Sequence, residues 1–182
     1  MKQLSLMIKP ASSLCNMHCR YCFYEDVSSL RQKSSFGIMT AETRRSILEH
    51  TFSQLAPKDS LTIVFQGGEP TLAGLDWFEQ FVQETISLAD PKVSVSYALQ
   101  TNGLLLDEAW FSFLKKEHFL IGLSLDGPRN LHDACRLDTS GKGTFSRILT
   151  VKKGLERSQI PYNALMVLTN TMARHPRQIW NF

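Results

Sequence analysis

The sequence has no apolar run approaching the length of a membrane span, and its N-terminus lacks the charged-then-apolar layout of a signal peptide. Those absences point away from membrane and secretory routes, and predict a cytoplasmic, reducing setting. Charge of one sign is also missing. A formal net charge of +3 with no dense Lys/Arg block gives no electrostatic footprint for nucleic acid or anionic lipid. No solenoid-type repeat and no low-complexity segment is visible. Cysteine is scarce at four residues, and disulfides among them would require an oxidising compartment, for which no secretory signal is visible. What remains is ordinary: 43% hydrophobic and 20% charged residues, enough for one domain with a proper core, taken here as 1–182.

Three of those four cysteines crowd into one stretch. Cys15, Cys19 and Cys22 follow C-x3-C-x2-C in a short polar loop after a strand-like run. Thiolates so spaced can converge on one soft metal centre. A cubane of four irons needs four ligands, so three cysteines leave one iron open to chelation by a small molecule. Structural zinc is the alternative, with His18 as a fourth ligand, although a wedged His at this spacing is unusual for a closed tetrahedron. Three unligated core cysteines fit less well, because His, Arg and Asn interrupt the triplet. Cys135 stands alone and reads as a free thiol.

Along the chain, strand and helix patterns alternate. Leu4 to Lys9 is a first strand closed by Pro10. Val27 to Gly37 is polar and serine-rich, a loop or mobile connection. Thr40 offers an N-cap to a helix carrying Ile47, Leu48, Thr51, Phe52 and Leu55, which Pro57 ends. Leu61 to Phe65 is a nearly continuous apolar run, as for a strand covered on both faces. Phe78, Phe81, Val82 and Ile86 give the next helix, and Val93, Val95, Tyr97 and Leu99 the next strand. Asp107 caps a helix with Trp110, Phe113 and Leu114; Leu120 to Leu125 is a further strand. Thr144 caps a helix through Leu155, Ala164 to Leu168 is a fifth strand, and Asn170 to Phe182 begins a helix. This alternation predicts an α/β fold, a partial (β/α) barrel with parallel strands and about five βα units.

The polar motifs fall just beyond strand ends, where parallel α/β folds bind ligands. Gly67 and Gly68 let backbone approach a ligand closely, and Glu69 adds an acceptor suited to an ammonium group. An ordinary strand-to-helix turn explains Gln66-Gly67-Gly68-Glu69-Pro70 equally well in isolation. Ser124 and Asp126, alternating with Leu125, can both face a barrel mouth and meet a ribose or a carboxylate; turn formation at Gly127-Pro128 is the other reading. Asn102 carries the same ambiguity, since Asn-Gly is a common turn pair. Arg136 offers a planar fork for a carboxylate, or is a surface charge.

The run Cys-Asn-Met-His-Cys-Arg-Tyr-Cys-Phe-Tyr, with the aromatic Tyr21 before the last cysteine, resembles the signature of the radical S-adenosylmethionine (radical SAM) superfamily. Within it, the run is most similar to the anaerobic sulfatase-maturating enzymes. The resemblance implies a 4Fe-4S cluster on Cys15, Cys19 and Cys22 and S-adenosylmethionine beside it. It implies that Gly67, Gly68, Glu69 and Pro70 grip the methionyl amino group, that Arg136 takes the methionyl carboxylate with Ser124 nearby, and that Tyr21 lies beside the adenine. Asn102 and Asp126 are carried as further contacts, and His18 as solvent-facing. One electron through the cluster would then release a 5′-deoxyadenosyl radical, which abstracts hydrogen from a Cys or Ser of a sulfatase on the way to formylglycine. A flavodoxin- or ferredoxin-type electron donor is implied.

The family pattern continues beyond this chain with a last βα unit and a cysteine-rich region that holds auxiliary clusters and a carboxylate base. No catalytic residue is therefore assignable here, and the chain reads as a truncated form or fragment, incomplete at its C-terminus. A radical SAM enzyme acting on another peptide, and a non-catalytic remnant or regulator that keeps the cluster, are the alternatives.

Overall fold

The computed structural model of the chain describes residues 1–24, 27 and 30–182. In chain order its elements are β1 (Gln3–Ile8), β2 (Met17–Cys19), α1 (Ala41–Ser53), β3 (Ser60–Phe65), a 3-10 turn (Pro70–Ala73), α2 (Leu75–Leu88), β4 (Ser94–Thr101) and α3 (Glu108–Lys116). There follow β5 (Leu120–Ser124), α4 (Arg129–Cys135), β6 (Arg136–Asp138), α5 (Phe145–Arg157), β7 (Tyr162–Leu165), α6 (Asn170–Ala173) and α7 (Pro176–Trp180). The serine-rich stretch expected as a loop includes Ser28 and Ser29, which lie outside the described residues.

Five strands form one all-parallel sheet in the order β1-β3-β4-β5-β7. Leu4 sits opposite Leu61, Ile63 opposite Tyr97, Ala98 opposite Leu120 and Ile121 opposite Tyr162. Each crossover moves in the same direction along the sheet. Because βαβ crossovers are right-handed, a one-way order lays the helices on a single face, as in a (β/α) barrel and unlike a doubly wound sheet. The partial barrel read from the sequence is the observed architecture.

That single-sided layering corrects the expectation for Leu61 to Phe65. Leu61, Ile63 and Phe65 are fully buried under the helices, whereas Thr62 and Val64, on the other face, are half-buried. Phe65 lies at the centre, its ring against Trp77, Phe78, Phe81 and Phe119 at centroid distances of 4.9–6.1 Å. Each such fully buried side chain contributes about 1.5–3 kcal/mol. Arg44 on α1 is buried against α2, where Glu84 accepts from its Nε and Nη2 at 2.9 and 2.6 Å.

Two of the expected helix caps are made. Thr40 accepts from the Thr43 amide, and Asp107 from that of Trp110. Thr144, expected as a side-chain cap, makes no such bond; Asp133 Oδ1 accepts from the Phe145 amide instead. The helix expected from Asn170 to Phe182 is two short ones, divided at His175, whose φ/ψ of −125/46 is non-helical. Pro176 disfavours helical geometry in the residue before it and has no N–H to continue the ladder.

Candidate functional site

Parallel pairing brings the carboxyl ends of β1, β3, β4, β5 and β7 to one edge of the sheet. The loops leaving that edge enclose a cavity of about 370 Å³. Cys15, Cys19, Tyr21 and Cys22 come from the segment after β1, with Cys19 ending β2; Gly67, Gly68 and Glu69 follow β3; Asn102 follows β4; Ser124 ends β5; Arg136 opens β6. All ten line the cavity, joined by Gln66, Gln100 and Val167, none of them a site residue expected from the sequence.

Backbone contacts hold the cysteine loop at two places. One is an unforeseen antiparallel ladder between β2 and β6, in which Cys19 lies opposite Arg136. The other is the Glu69 amide, which donates to the Leu14 carbonyl at 2.7 Å. Gly68 makes this approach possible: its φ is +54, and a Cβ there would run into the Leu14 oxygen. The double glycine thus docks the turn after β3 against the cysteine loop.

Desolvation pushes the Cys15 thiol up to about 11 and the Cys19 thiol to about 12, with neighbouring thiols adding repulsion. Such thiols keep their protons unless a cation displaces them, and metal binding does so. Among the described residues, no group of three or more His, Cys, Asp or Glu side chains closes on a single metal ion. Cys15, Cys19 and Cys22 all line this one cavity, where three irons of a polynuclear cluster would each take one thiolate. His18 is exposed. Cys135 is a free thiol, as expected.

Glu69 is 1% exposed, although it contributes to the cavity lining. Its Oε1 accepts from the Thr71 amide and hydroxyl and the Thr101 hydroxyl at 2.6–3.1 Å, and its Oε2 from the Asn102 amide at 2.7 Å. Burial raises its pKa, and those four donors oppose the rise. The carboxylate therefore locks the ends of β3 and β4 together, with Oε2 the less occupied oxygen. Asn102 also donates to Asn16 Oδ1 at 2.7 Å, tying β4 to the cysteine loop.

Arg136 is not a surface charge. It is 7% exposed, and its Nε and Nη2 donate to the Asp126 carboxylate at 2.8 and 3.1 Å. Burial works against the guanidinium's charge, but Asp126 outweighs it and raises the pKa. Asp126 itself is 0% exposed and absent from the cavity wall, which corrects the expectation that it faces the mouth. Its carboxylate also accepts from the Tyr21 hydroxyl and, at 3.0 Å, from the Val167 amide. Tyr21 is pushed upward in pKa by burial, despite Arg136, whose guanidinium carbon lies 5.5 Å from the ring centroid. Asp126 is thus the buried post on which Tyr21, Arg136 and the segment after β7 are hung.

Comparison with known proteins follows the same lines. The radical SAM superfamily model matches residues 10–176. The chain is 41% identical, over its whole length, to a cysteine-type anaerobic sulfatase-maturating enzyme of Clostridium novyi, and covers 48% of that protein. It is 35% identical to a serine-type anaerobic sulfatase-maturating enzyme of Klebsiella aerogenes, with 97% of this chain and 42% of the relative aligned. The solved structure of native anSMEcpe with bound AdoMet and Cp18Cys peptide superposes with a TM-score of 0.90 at 38% identity, covering 99% of this chain and 47% of that one. The chain spans about half the length of the curated relatives it matches. Strand order, cysteine triplet, glycine turn and family match agree: the chain belongs to the radical SAM superfamily.

Proposed function

We propose that the chain, as a radical SAM domain over 1–182, holds a 4Fe-4S cluster on Cys15, Cys19 and Cys22 and binds S-adenosylmethionine against it. One observation carries this: the three thiols, the Gly67-Gly68-Glu69 turn and Arg136 share the wall of a single cavity. When bound, the pair supplies one-electron cleavage of the sulfonium to a 5′-deoxyadenosyl radical. The protein's own part is placement. Backbone at Gly67 and Gly68, with Glu69 Oε2, receives the methionyl ammonium. Arg136, whose Nε and Nη2 are held by Asp126, offers Nη1 to the methionyl carboxylate. Ser124 and Asn102 present polar groups to the remainder, and the Tyr21 ring lies beside the adenine while its hydroxyl stays on Asp126. Asp126 acts from behind the wall, by holding Tyr21 and Arg136.

In this reading the chain serves anaerobic sulfatase maturation, the conversion of a sulfatase Cys or Ser to formylglycine with electrons from a flavodoxin- or ferredoxin-type donor in the cytoplasm. The 41% and 35% identities to cysteine-type and serine-type maturating enzymes support it. Among the described residues no helix is long and apolar enough to cross a membrane. The test is anaerobic reconstitution with iron and sulfide, then reduction with S-adenosylmethionine present. The expected product is 5′-deoxyadenosine, lost on Cys15→Ala. A reconstituted brown protein that forms none would leave a cluster-holding remnant, and transfer of hydrogen to a peptide other than a sulfatase's would reassign the substrate.

A further inference from the structure

Behind the cavity wall, three buried groups form a chain that the cofactor reading does not use. The Asp126 amide donates to His132 Nδ1 at 3.2 Å. His132 Nε2 lies 3.0 Å from Thr144 Oγ1, which donates to the Arg136 carbonyl at 3.0 Å. His132 and Thr144 are both 0% exposed, and the Phe145 ring packs against the imidazole at 5.6 Å. An amide N–H only donates, so Nδ1 must be the unprotonated nitrogen. The threonine hydroxyl has one proton, and the Arg136 carbonyl takes it. The remaining bond closes only if Nε2 carries the imidazole proton.

We propose that His132, as the neutral Nε2–H tautomer, is a positioning residue: together with Thr144 it fixes the backbone of Asp126 relative to the backbone of Arg136, and so sets where the ion pair presents Arg136 to the cavity. The two ends of the relay are the two partners of that pair, whose side chains meet on the other side. Five hydrogen bonds, three along the relay and two in the ion pair, thus close a ring through both residues. Burial, with Arg136 adding to it, holds the His132 pKa down to about 4, so the neutral form that the ring needs is the one present near neutral pH. Thr144 is spent on this ring and not on its own helix, which accounts for the missing cap of α5.

The inference rests on the S-adenosylmethionine reading only for its functional consequence. Its test uses the full chain with His132→Phe, which keeps a ring and loses both bonds, Thr144→Val, which cuts the Arg136 end, and Thr144→Ser, which restores a hydroxyl. In the metal-free chain, long-range proton–nitrogen spectra are expected to show His132 protonated on Nε2, and exchange of the Asp126 amide to accelerate in His132→Phe. In anaerobically reconstituted protein of equal iron content, S-adenosylmethionine is expected to bind about ten-fold more weakly to Thr144→Val and His132→Phe, the scale of one lost buried hydrogen bond. Thr144→Ser should stay within about three-fold of the parent. An Nδ1–H tautomer, unchanged affinity in Thr144→Val, or Thr144→Ser as weak as Thr144→Val would overturn the proposal. Should the parent bind no S-adenosylmethionine, the cofactor reading fails, and the tautomer and amide exchange still decide the role of His132. Should His132→Phe fail to fold, the two Thr144 variants decide it.

Discussion

Cys19 and Arg136 lie opposite one another on a three-residue antiparallel ladder, and Arg136 is clamped through its side chain to Asp126. One residue thus connects the cysteine loop, the end of β5 and the start of β6. A backbone ladder and a buried ion pair together fix Arg136 relative to the cysteine loop.

The pair is expected to be strongly coupled. Removing one partner leaves the other charge buried, at a cost of about 3–5 kcal/mol. Arg136→Met and Asp126→Leu should each destabilise by that order, and the double variant by clearly less than their sum. Urea unfolding of the four proteins measures this; additive losses would mean the pair is not the interaction lost.

Gly68 makes a sharper steric prediction. Gly68 and Gly141 both have positive φ, so alanine costs each about 1–2 kcal/mol in backbone strain. At Gly141 a Cβ meets nothing within 4 Å, whereas at Gly68 it strikes the Leu14 carbonyl. Gly68→Ala should therefore lose about 1–3 kcal/mol more than Gly141→Ala and reconstitute with less iron. Thermal unfolding and iron analysis of the two variants check both halves.

The buried Arg44 predicts a pH dependence. Hydrogen bonds from Arg44, against a smaller burial effect, hold the Glu84 carboxyl below its ordinary value of 4.5. A carboxyl lowered on folding stabilises fully above the unfolded value, and that stabilisation is lost as pH falls through the folded one. Glu84→Gln should cost about 1.5–3 kcal/mol near neutral pH, the range for a hydrogen bond to a charged group. The gap between parent and variant should narrow as pH drops below about 4.5. Stability curves of both proteins from pH 7 to pH 3 test it.

The sheet was legible because its strands are apolar runs bounded by turns, and a parallel sheet places every strand end on one edge. The cysteine spacing and Gly67-Gly68-Glu69-Pro70 were legible because they are local. The β2–β6 ladder was not. Three residues carry no periodicity, and their pairing exists only because α4 returns the chain to the cysteine loop. The same holds for Asp126, whose sequence context suggests a turn and whose partners come from positions 21, 136 and 167. Glu69 reads as an acceptor for an ammonium group, and only the fold brings Thr101 and Asn102 to it from the end of β4. Thr144 reads as a cap because its local sequence says so, while its hydroxyl answers to Arg136 and His132.

The most direct measurement is electron–nuclear double resonance on the reduced, reconstituted protein with S-adenosylmethionine labelled by nitrogen-15 at the amino group. Direct chelation by an iron without a cysteine ligand predicts a nitrogen-15 coupling in the parent, weakened or lost in Arg136→Met at equal cluster content. A reduced cluster whose spectrum ignores S-adenosylmethionine and shows no such coupling would contradict it.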